Sequence, residues 1–580
     1  MNTKESNVFK NTEKRTISNK KILSVLLLIV LLLQAFIGNV QAVNYTKTTG
    51  SLEITRYGTY TDSTGTSTKK VISGVKFNIY KVNADTTSTD EPSEEPVQSL
   101  VTGEDGKVNF ENLPLGRYLV VEKDAPSNVK DKVENFLVDI PTTNEDGTDL
   151  IYDVTVSPKT ETSYGSVTLI KKNQNNVALE GVKFLLQKKD GASWKDYPSI
   201  DKATLTTNAE GKIVVDGFSE GDYRFVETDL GSNQGYILDN KTGYEFSVSF
   251  DENKTAVVTP STINVVNEKL TISKDVEKVT KSDKDTNNIV RNLNSADKGD
   301  TISYKISADV PSKIAELNVY KISDVMNENL IFDESSIKVY GINRSISAKS
   351  EITDYTLVKN ANGFDLTFAN VNLADFSKLE VTYDTKLSET AEVLQSGYSN
   401  EAKLTYSTIV KNAYDGSVNT DSSTESTGNA LIYTGGFKIL KRANSNSGKL
   451  LSGAEFKLAT SLENAEKGEF IKDTNGNEIV LTTDDVGSAS YYGLAFGEYQ
   501  LVETKAPVDE NGKSYNLLEK PQTITINETT YSSDITVINK SGTILPFTGG
   551  TGAVIFVVIG ISALGAMFIL RKKNNENSKH

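Results

Sequence analysis

The sequence predicts an all-β protein made of several domains in tandem. Thr, Val, Ile and Tyr are abundant, Pro is sparse (12 in 580 residues), and almost no segment carries a long helical pattern. A chain of this length exceeds one domain and suggests about four. One order of short motifs, "G-x-x-F … x-x-x-G … G-x-Y-x-(apolar)-(apolar)-E", also recurs, and a recurring order marks repeated folding units.

Composition excludes several function classes. The net charge is -15 and the isoelectric point is near 4.9, which argues against nucleic acid as a partner and suits a self-repelling surface protein. There is no cysteine, so disulfides, thiol nucleophiles and thiolate metal sites are excluded. The only histidine is His580, which removes imidazole catalysis and histidine-ligated metals. No paired-carboxylate, phosphate-loop or serine-triad pattern is present, so the chain is read as a non-enzyme without cofactors.

Both ends carry targeting signals. Lys14, Arg15, Lys20 and Lys21 precede the apolar run Ile22–Leu33, and Val40-Gln41-Ala42 offers small residues for cleavage. This is a secretory signal peptide, and the mature chain is expected to begin near Val43. At the other end, Leu545-Pro546-Phe547-Thr548-Gly549 precedes an uncharged run from Ala553 to Leu570 and then Arg571-Lys572-Lys573. The run is long enough to cross or nearly cross a bilayer as a helix, with its basic end cytoplasmic. The ensemble resembles the sorting signal of Gram-positive surface proteins, Leu-Pro-any-Thr-Gly. That resemblance implies that a sortase cuts between Thr548 and Gly549 and that the helix is a temporary hold.

The domains follow in order. In the first, Leu52, Ile54 and Arg56 share one face of a strand and Gly74–Tyr80 forms another. Ala84–Pro96 is a solvated acidic loop, Gly103–Lys107 a turn, and Tyr118–Glu122 a strand. The same order returns at Gly181-Val182-Lys183-Phe184, Asn208–Lys212 and Gly221–Thr228. It returns again at Gly453-Ala454-Glu455-Phe456, Asp484–Gly487 and Gly497–Pro507. These copies resemble the B-repeat module of collagen-binding surface proteins, also called the SpaA-type pilin domain, which implies a small immunoglobulin-like β-sandwich of about a hundred residues. Residues 268–432 differ. Gly299–Ile306 and Leu317–Asp324 alternate cleanly, Ser388–Gln395 suggests a short helical crossing, and the region resembles the isopeptide-forming domain of fimbrial subunits. The expected organisation is a signal peptide (1–42), an N-terminal sandwich (43–163), a B-type sandwich (164–267), the fimbrial isopeptide-forming domain (268–432), a second B-type sandwich (433–541) and the sorting signal (542–580), together an elongated rod.

Strand parity then places charge on apolar faces. Val167, Leu169 and Lys171 point inward together, as do Leu270, Ile272 and Lys274, and Phe437, Ile439 and Lys441. Asn267 shares a face with Ile263 and Val265, Asn400 with Tyr398, Ala402 and Leu404, and Asn539 with Ile535 and Val537. Between them lie the inward acids Glu227, Asp324 and Glu503. An unpaired charge in such places is costly. Desolvation lowers the lysine pKa and raises that of the acid, leaving a nucleophilic amine beside a carboxyl that can polarise the asparagine amide. Attack with loss of ammonia leaves an amide cross-link. The family resemblance implies this chemistry at Lys171–Asn267 with Glu227, at Lys274–Asn400 with Asp324, and at Lys441–Asn539 with Glu503, each joining first and last strands. The alternative is a simple salt bridge or a snorkelling lysine. Lys172, Lys278 and Lys438 are the register alternatives.

The first domain breaks the pattern. Arg56 stands in the lysine position, Glu122 remains, and no asparagine ends the last strand. A guanidinium stays protonated and does not attack, so no cross-link is expected and Glu122 is free to pair with Arg56. Farther on, Val154-Thr155-Val156-Ser157-Pro158-Lys159 resembles the pilin motif of backbone pilins, Val-x-Val-Tyr-Pro-Lys-Asn, with Ser157 and Thr160 as departures and no upstream tryptophan. Pro158 interrupts pairing and presents Lys159 at an edge. A solvated linker lysine is the alternative.

Asp283–Asn287 lacks the glycine and glutamate of a calcium loop, and Asp421–Glu425 lacks the second serine of a metal-dependent adhesion motif, so no metal site is expected. Trp194 is read as packing or a loop platform. The resemblances imply a major pilus subunit, assembled by joining Thr548 to Lys159 of another copy. Its partners would be a class C-type pilus sortase, a housekeeping sortase, minor pilins, peptidoglycan, and a host matrix or cell receptor, with the product on the cell wall. The alternative is a wall-anchored adhesin or minor pilin that never polymerises.

Overall fold

The structure is a computed structural model that describes residues 47–197, 205–281, 294–420, 422–473, 476–532 and 534–542. The signal peptide, Asp283–Asn287, Asp421, the sorting signal Leu545–Gly549, the apolar run and the basic tail lie outside these residues. The described chain is nearly all β, arranged as β-sandwiches in tandem. No helix among the described residues is long and apolar enough to cross a membrane.

The chain divides into two compact units. One comprises the residues up to Thr168 with Val214–Tyr223 and Phe246–Thr262. The other comprises Leu169–Ile213, Arg224–Glu245 and the residues from Ile263 on.

In the first unit, Thr49–Thr55 lies between Asp153–Val156, parallel, and Lys107–Pro114, antiparallel. A second sheet has the order Gln98–Val101, Lys76–Val82, Gly116–Asp124, Phe136–Ile140. Alternate residues of both sheets (Leu52, Ile54 and Phe110 against Phe77, Ile79, Tyr118 and Val120) close one core. Burial of this kind stabilises by roughly 25 cal/mol per Å² of apolar surface. Arg56 sits in the break between Thr49–Thr55 and Tyr57–Thr61. Lys159–Glu161 runs parallel to the latter, with Lys159 opposite Tyr57.

In the second unit, residues 268–432 form two five-stranded sheets around one core. The strand carrying Lys274, Ile272–Thr280, pairs with Thr301–Asp309 in one sheet. The strand carrying Asp324, Tyr320–Met326, pairs with the strand carrying Asn400, Tyr398–Ser407, in the other. Ser423–Ile432 follows as the outer neighbour of Tyr398–Ser407, so Asn400 lies on the penultimate strand and not the last. The expected helical crossing at Ser388–Gln395 is instead a pair of turns. The Ser388 and Thr390 hydroxyls bond each other, and Ser388 Oγ accepts the Thr390 backbone N–H, which competes with helical pairing. The short helix Leu462–Lys467 was not anticipated, although its signals are in the sequence. Ser461 caps it by accepting from the Asn464 amide, and Gly468 ends it at φ +73°. In the final sandwich, Gly435–Ala443 lies between Ser488–Leu494, antiparallel, and Asp534–Asn539, parallel.

The recurring motif has a physical basis in each copy. The tyrosine of G-x-Y donates to a carbonyl four residues upstream: Tyr118 to Pro114 at 2.5 Å, Tyr223 to Ser219 at 3.0 Å, and Tyr499 to Ala495 at 2.8 Å. The glycine of x-x-x-G turns the chain at φ +71°, +70° and +68° (Gly106, Gly211, Gly487), a region that disfavours side chains. Its carbonyl accepts the backbone N–H of Arg56, Lys171 or Lys441. At Gly211 a Cβ would lie 2.3 Å from the Lys171 carbonyl oxygen. The repeat therefore pins the residue that carries the buried cation.

Candidate functional site

Lys171, Glu227 and Asn267 are all buried. The strand Gly165–Asn173 alternates buried and half-buried positions, which turns Lys171 inward beneath Val167 and Leu169. Lys171 Nζ donates to Asn267 Oδ1 at 2.6 Å and lies 3.5 Å from Glu227 Oε1. Asn267 Nδ2 donates to both Glu227 oxygens, at 3.1 and 2.9 Å. Burial pushes the lysine down to about 8, against the pull of Glu227, and pushes the Glu227 carboxyl up.

The last sandwich repeats this geometry. Lys441 Nζ contacts Asn539 Oδ1 and lies 2.9 Å from Glu503 Oε1. Asn539 Nδ2 donates to both Glu503 oxygens, at 2.8 and 2.9 Å. Burial lowers the lysine pKa here too, and the Phe456 ring lies 5.2 Å away. Lysine and asparagine occupy neighbouring parallel strands, and the acid reaches them from the facing sheet.

Residues 268–432 assemble the same groups differently. Lysine is on one sheet, and acid and asparagine are on adjacent strands of the other. Lys274 Nζ contacts both Asp324 Oδ2 and Asn400 Oδ1. The Tyr304 and Tyr383 rings each lie 5.2 Å from it. Burial pushes Lys274 down to about 8 and raises Asp324. The register alternatives point elsewhere: Lys278 is exposed, Lys172 half-buried, and Lys438 pairs with Asp534 at 3.4 Å.

The first sandwich holds an ion pair in the same place. Arg56 and Glu122 are buried, with Nε to Oε2 at 2.9 Å. The guanidinium also donates to the Tyr57 carbonyl at 2.5 Å and to Thr160 Oγ1 at 2.7 Å. Thr160 therefore stands where the other sites have asparagine. Its neighbour Lys159 is exposed.

Two supports were missed in the sequence. Each glutamate accepts a backbone N–H from the following loop: Glu122 from Val133, Glu227 from Asp239, Glu503 from Leu518. A buried threonine four residues before each turn glycine (Thr102, Thr207, Thr483) also ties two chain segments. Its hydroxyl accepts the N–H of Val75, Val182 or Ala454 and donates to the carbonyl of Ile72, Leu179 or Leu451. The spacing T-x-x-x-G, common to all three copies, is the signal that could have found it. Trp194 is half-buried with the Arg224 guanidinium 4.6 Å over its ring. Among the described residues no group of three His, Cys, Asp or Glu could hold a metal.

Comparison with known proteins adds a family and several likenesses. A family model described as "SpaA: Prealbumin-like fold domain" matches residues 46–154, 165–263 and 435–541. "Fimbrial subunit type 2" of Actinomyces naeslundii is 32% identical over 162 residues, 26% of this chain and 28% of that protein. The chain thus matches little more than a quarter of that relative's length. Among solved structures, the major pilin subunit BcpA of Bacillus cereus is 24% identical (66% of this chain, 100% of that one, TM-score 0.41). The T6 backbone pilin of Streptococcus pyogenes is 19% identical (63% and 80%, TM-score 0.39). The major pilin SpaD of Corynebacterium diphtheriae is 18% identical (85% and 98%, TM-score 0.32).

Proposed function

Because the chain belongs to the SpaA prealbumin-like fold domain family, we propose that it is the backbone subunit of a covalently polymerised cell-surface pilus, stiffened by lysine–asparagine bonds inside its domains. The observation that carries this reading is the threefold burial of lysine, acid and asparagine in mutual contact. The neutral amine attacks the amide carbon. The acid donates to the amide and takes the proton released by the amine, and ammonia leaves. Each product closes a long loop, with residue separations of 96, 126 and 98. By analogy with disulfides, such a closure restricts the unfolded chain by about 5 kcal/mol.

The joint between copies is a second covalent step. A pilus sortase cleaves after Thr548 and holds its carbonyl as an acyl-enzyme. Lys159 of another copy resolves it, and a housekeeping sortase transfers the finished fibre to peptidoglycan. The exposure of Lys159 on a short strand just past Pro158 supports this role. So does the relative named as a fimbrial subunit. Head-to-tail joining of this kind gives an open fibre, to which minor pilins and host adhesion attach.

Two measurements test the reading. The intact mass of the recombinant ectodomain is expected to fall short of the mass of its own sequence by three ammonia molecules, and an unshifted mass overturns the cross-links. The variant Lys159→Ala is expected to abolish high-mass ladders on producing cells, and ladders that persist unchanged overturn the joint.

A further inference from the structure

The Lys274 site differs from the other two in one connection. Asp324 is a methylene shorter than the glutamates, and the Asn400 amide does not donate to it. A tyrosine hydroxyl stands between them. Asn400 Nδ2 donates to Tyr383 Oη at 2.9 Å, and Tyr383 Oη donates to Asp324 Oδ2 at 2.9 Å. Asp324 Oδ1 is buried without a hydrogen-bond partner among the described residues, so the polar contacts of this carboxyl converge on Oδ2. The Tyr383 ring is held by Tyr304 stacked at 5.6 Å and by Phe364 and Phe332 edge-on at 5.1 and 5.6 Å. Packed this way, the hydroxyl has one place to be.

Resting on the cross-linking reading, we propose that Tyr383 is a catalytic proton relay between Asp324 and the leaving nitrogen of Asn400. The Lys274 lone pair forms a bond to Asn400 Cγ, and the carbonyl electrons move to Oδ1. Attack turns Nδ2 pyramidal and gives it a lone pair. With Asp324 protonated, the two hydrogen bonds through Tyr383 then reverse, and Tyr383 gives its proton to Nδ2 as it takes one from the Asp324 carboxyl. The Cγ–Nδ2 bond breaks, the carbonyl re-forms and ammonia departs. The extra proton on Lys274 Nζ passes to Asp324, so acid and phenol end as they began and nothing is oxidised or reduced. At the glutamate sites the longer side chain reaches the amide directly, and no relay is needed.

The test is a time course of linkage in newly made full-length chain, read as the Lys274–Asn400 linked peptide by mass spectrometry. Tyr383→Phe keeps the ring and removes the hydroxyl. Linkage at Lys274–Asn400 is expected to slow by about a hundredfold, the usual scale of acid–base assistance. Formation of the Lys171–Asn267 and Lys441–Asn539 peptides in the same molecules reports that the other sandwiches are intact, and an unchanged urea midpoint for residues 268–432 reports the same of the core that holds Tyr383. The double variant Tyr383→Phe with Asp324→Glu is expected to recover the rate, because the longer acid reaches the amide itself. Linkage at the wild-type rate in Tyr383→Phe, or no recovery in the double variant, overturns the relay while the cross-link stands. Absence of the linked peptide from the wild-type chain overturns both.

Discussion

The first sandwich and the last are built on the same sheet order around the same inward acid, yet one encloses an arginine–glutamate ion pair and the other a lysine–glutamate–asparagine cluster. Glu122 and Glu503 both accept a loop N–H and both face a cation on the opening strand. The difference lies in two side chains. Arg56 directs its fork of donors to Glu122, Tyr57 and Thr160. Lys441 is driven toward the neutral amine by burial and touches an amide carbon's oxygen. The scaffold thus supplies a buried acid and a pinned cation in both, and under the proposed cross-linking the identity of the cation and of its closing-strand partner would decide between pairing and bonding.

The largest effect should come from erasing that difference. Arg56→Lys with Thr160→Asn replaces a long cation and a short acceptor by a shorter cation and a longer acceptor, so the reach is kept. We expect the mass to fall by one further ammonia. Across a separation of 104 residues, the closure should add about 5 kcal/mol in denaturant titration. An unchanged mass would show that the acid and its dry setting do not suffice.

Breaking the ion pair comes next. Arg56→Met leaves Glu122 buried and uncompensated, which should cost about 3–5 kcal/mol. Adding Glu122→Leu should restore most of it, because the penalty is the stranded charge. A double variant as unstable as the single would locate the loss in packing.

A smaller effect concerns pH. Asn267→Ala leaves Lys171 and Glu227 unable to react. Glu227, raised by burial, keeps its proton in the folded state above the ordinary 4.5, so stability should fall as pH rises past that value. Lys171 releases its proton near 8 when folded and near 10.5 when unfolded, so stability should rise again across that window, by at most about 3 kcal/mol. Urea midpoints measured across both windows check the two signs, and a flat profile would mean that the buried groups do not titrate.

The smallest change probes the shared support. Thr483→Val keeps shape but strands the Ala454 N–H and the Leu451 carbonyl, at about 1–3 kcal/mol. Thr102→Val should match it in the first sandwich, since the support is common to both kinds of site.

Much of this was legible in the residues themselves. A strand's period of two is a local property, so Val167, Leu169 and Lys171 declare a shared face whatever surrounds them. The same parity put Asn267, Asn400 and Asn539 inward, and the recurrence of G-x-Y marked the units. Local sequence could not say which sheet each strand would join. The reading that every pair ties first strand to last fails at Asn400, because Ser423–Ile432 adds itself outside Tyr398–Ser407, and strand order is set by long-range pairing. Nor could it reveal Tyr383 between Asp324 and Asn400, or Thr160 beneath Arg56, since those contacts join residues 59, 17 and 104 positions apart. Which side chains face inward follows from the pitch of a strand. Which of them meet is decided when two sheets close over one core, and that distance is a property of the packed chain alone.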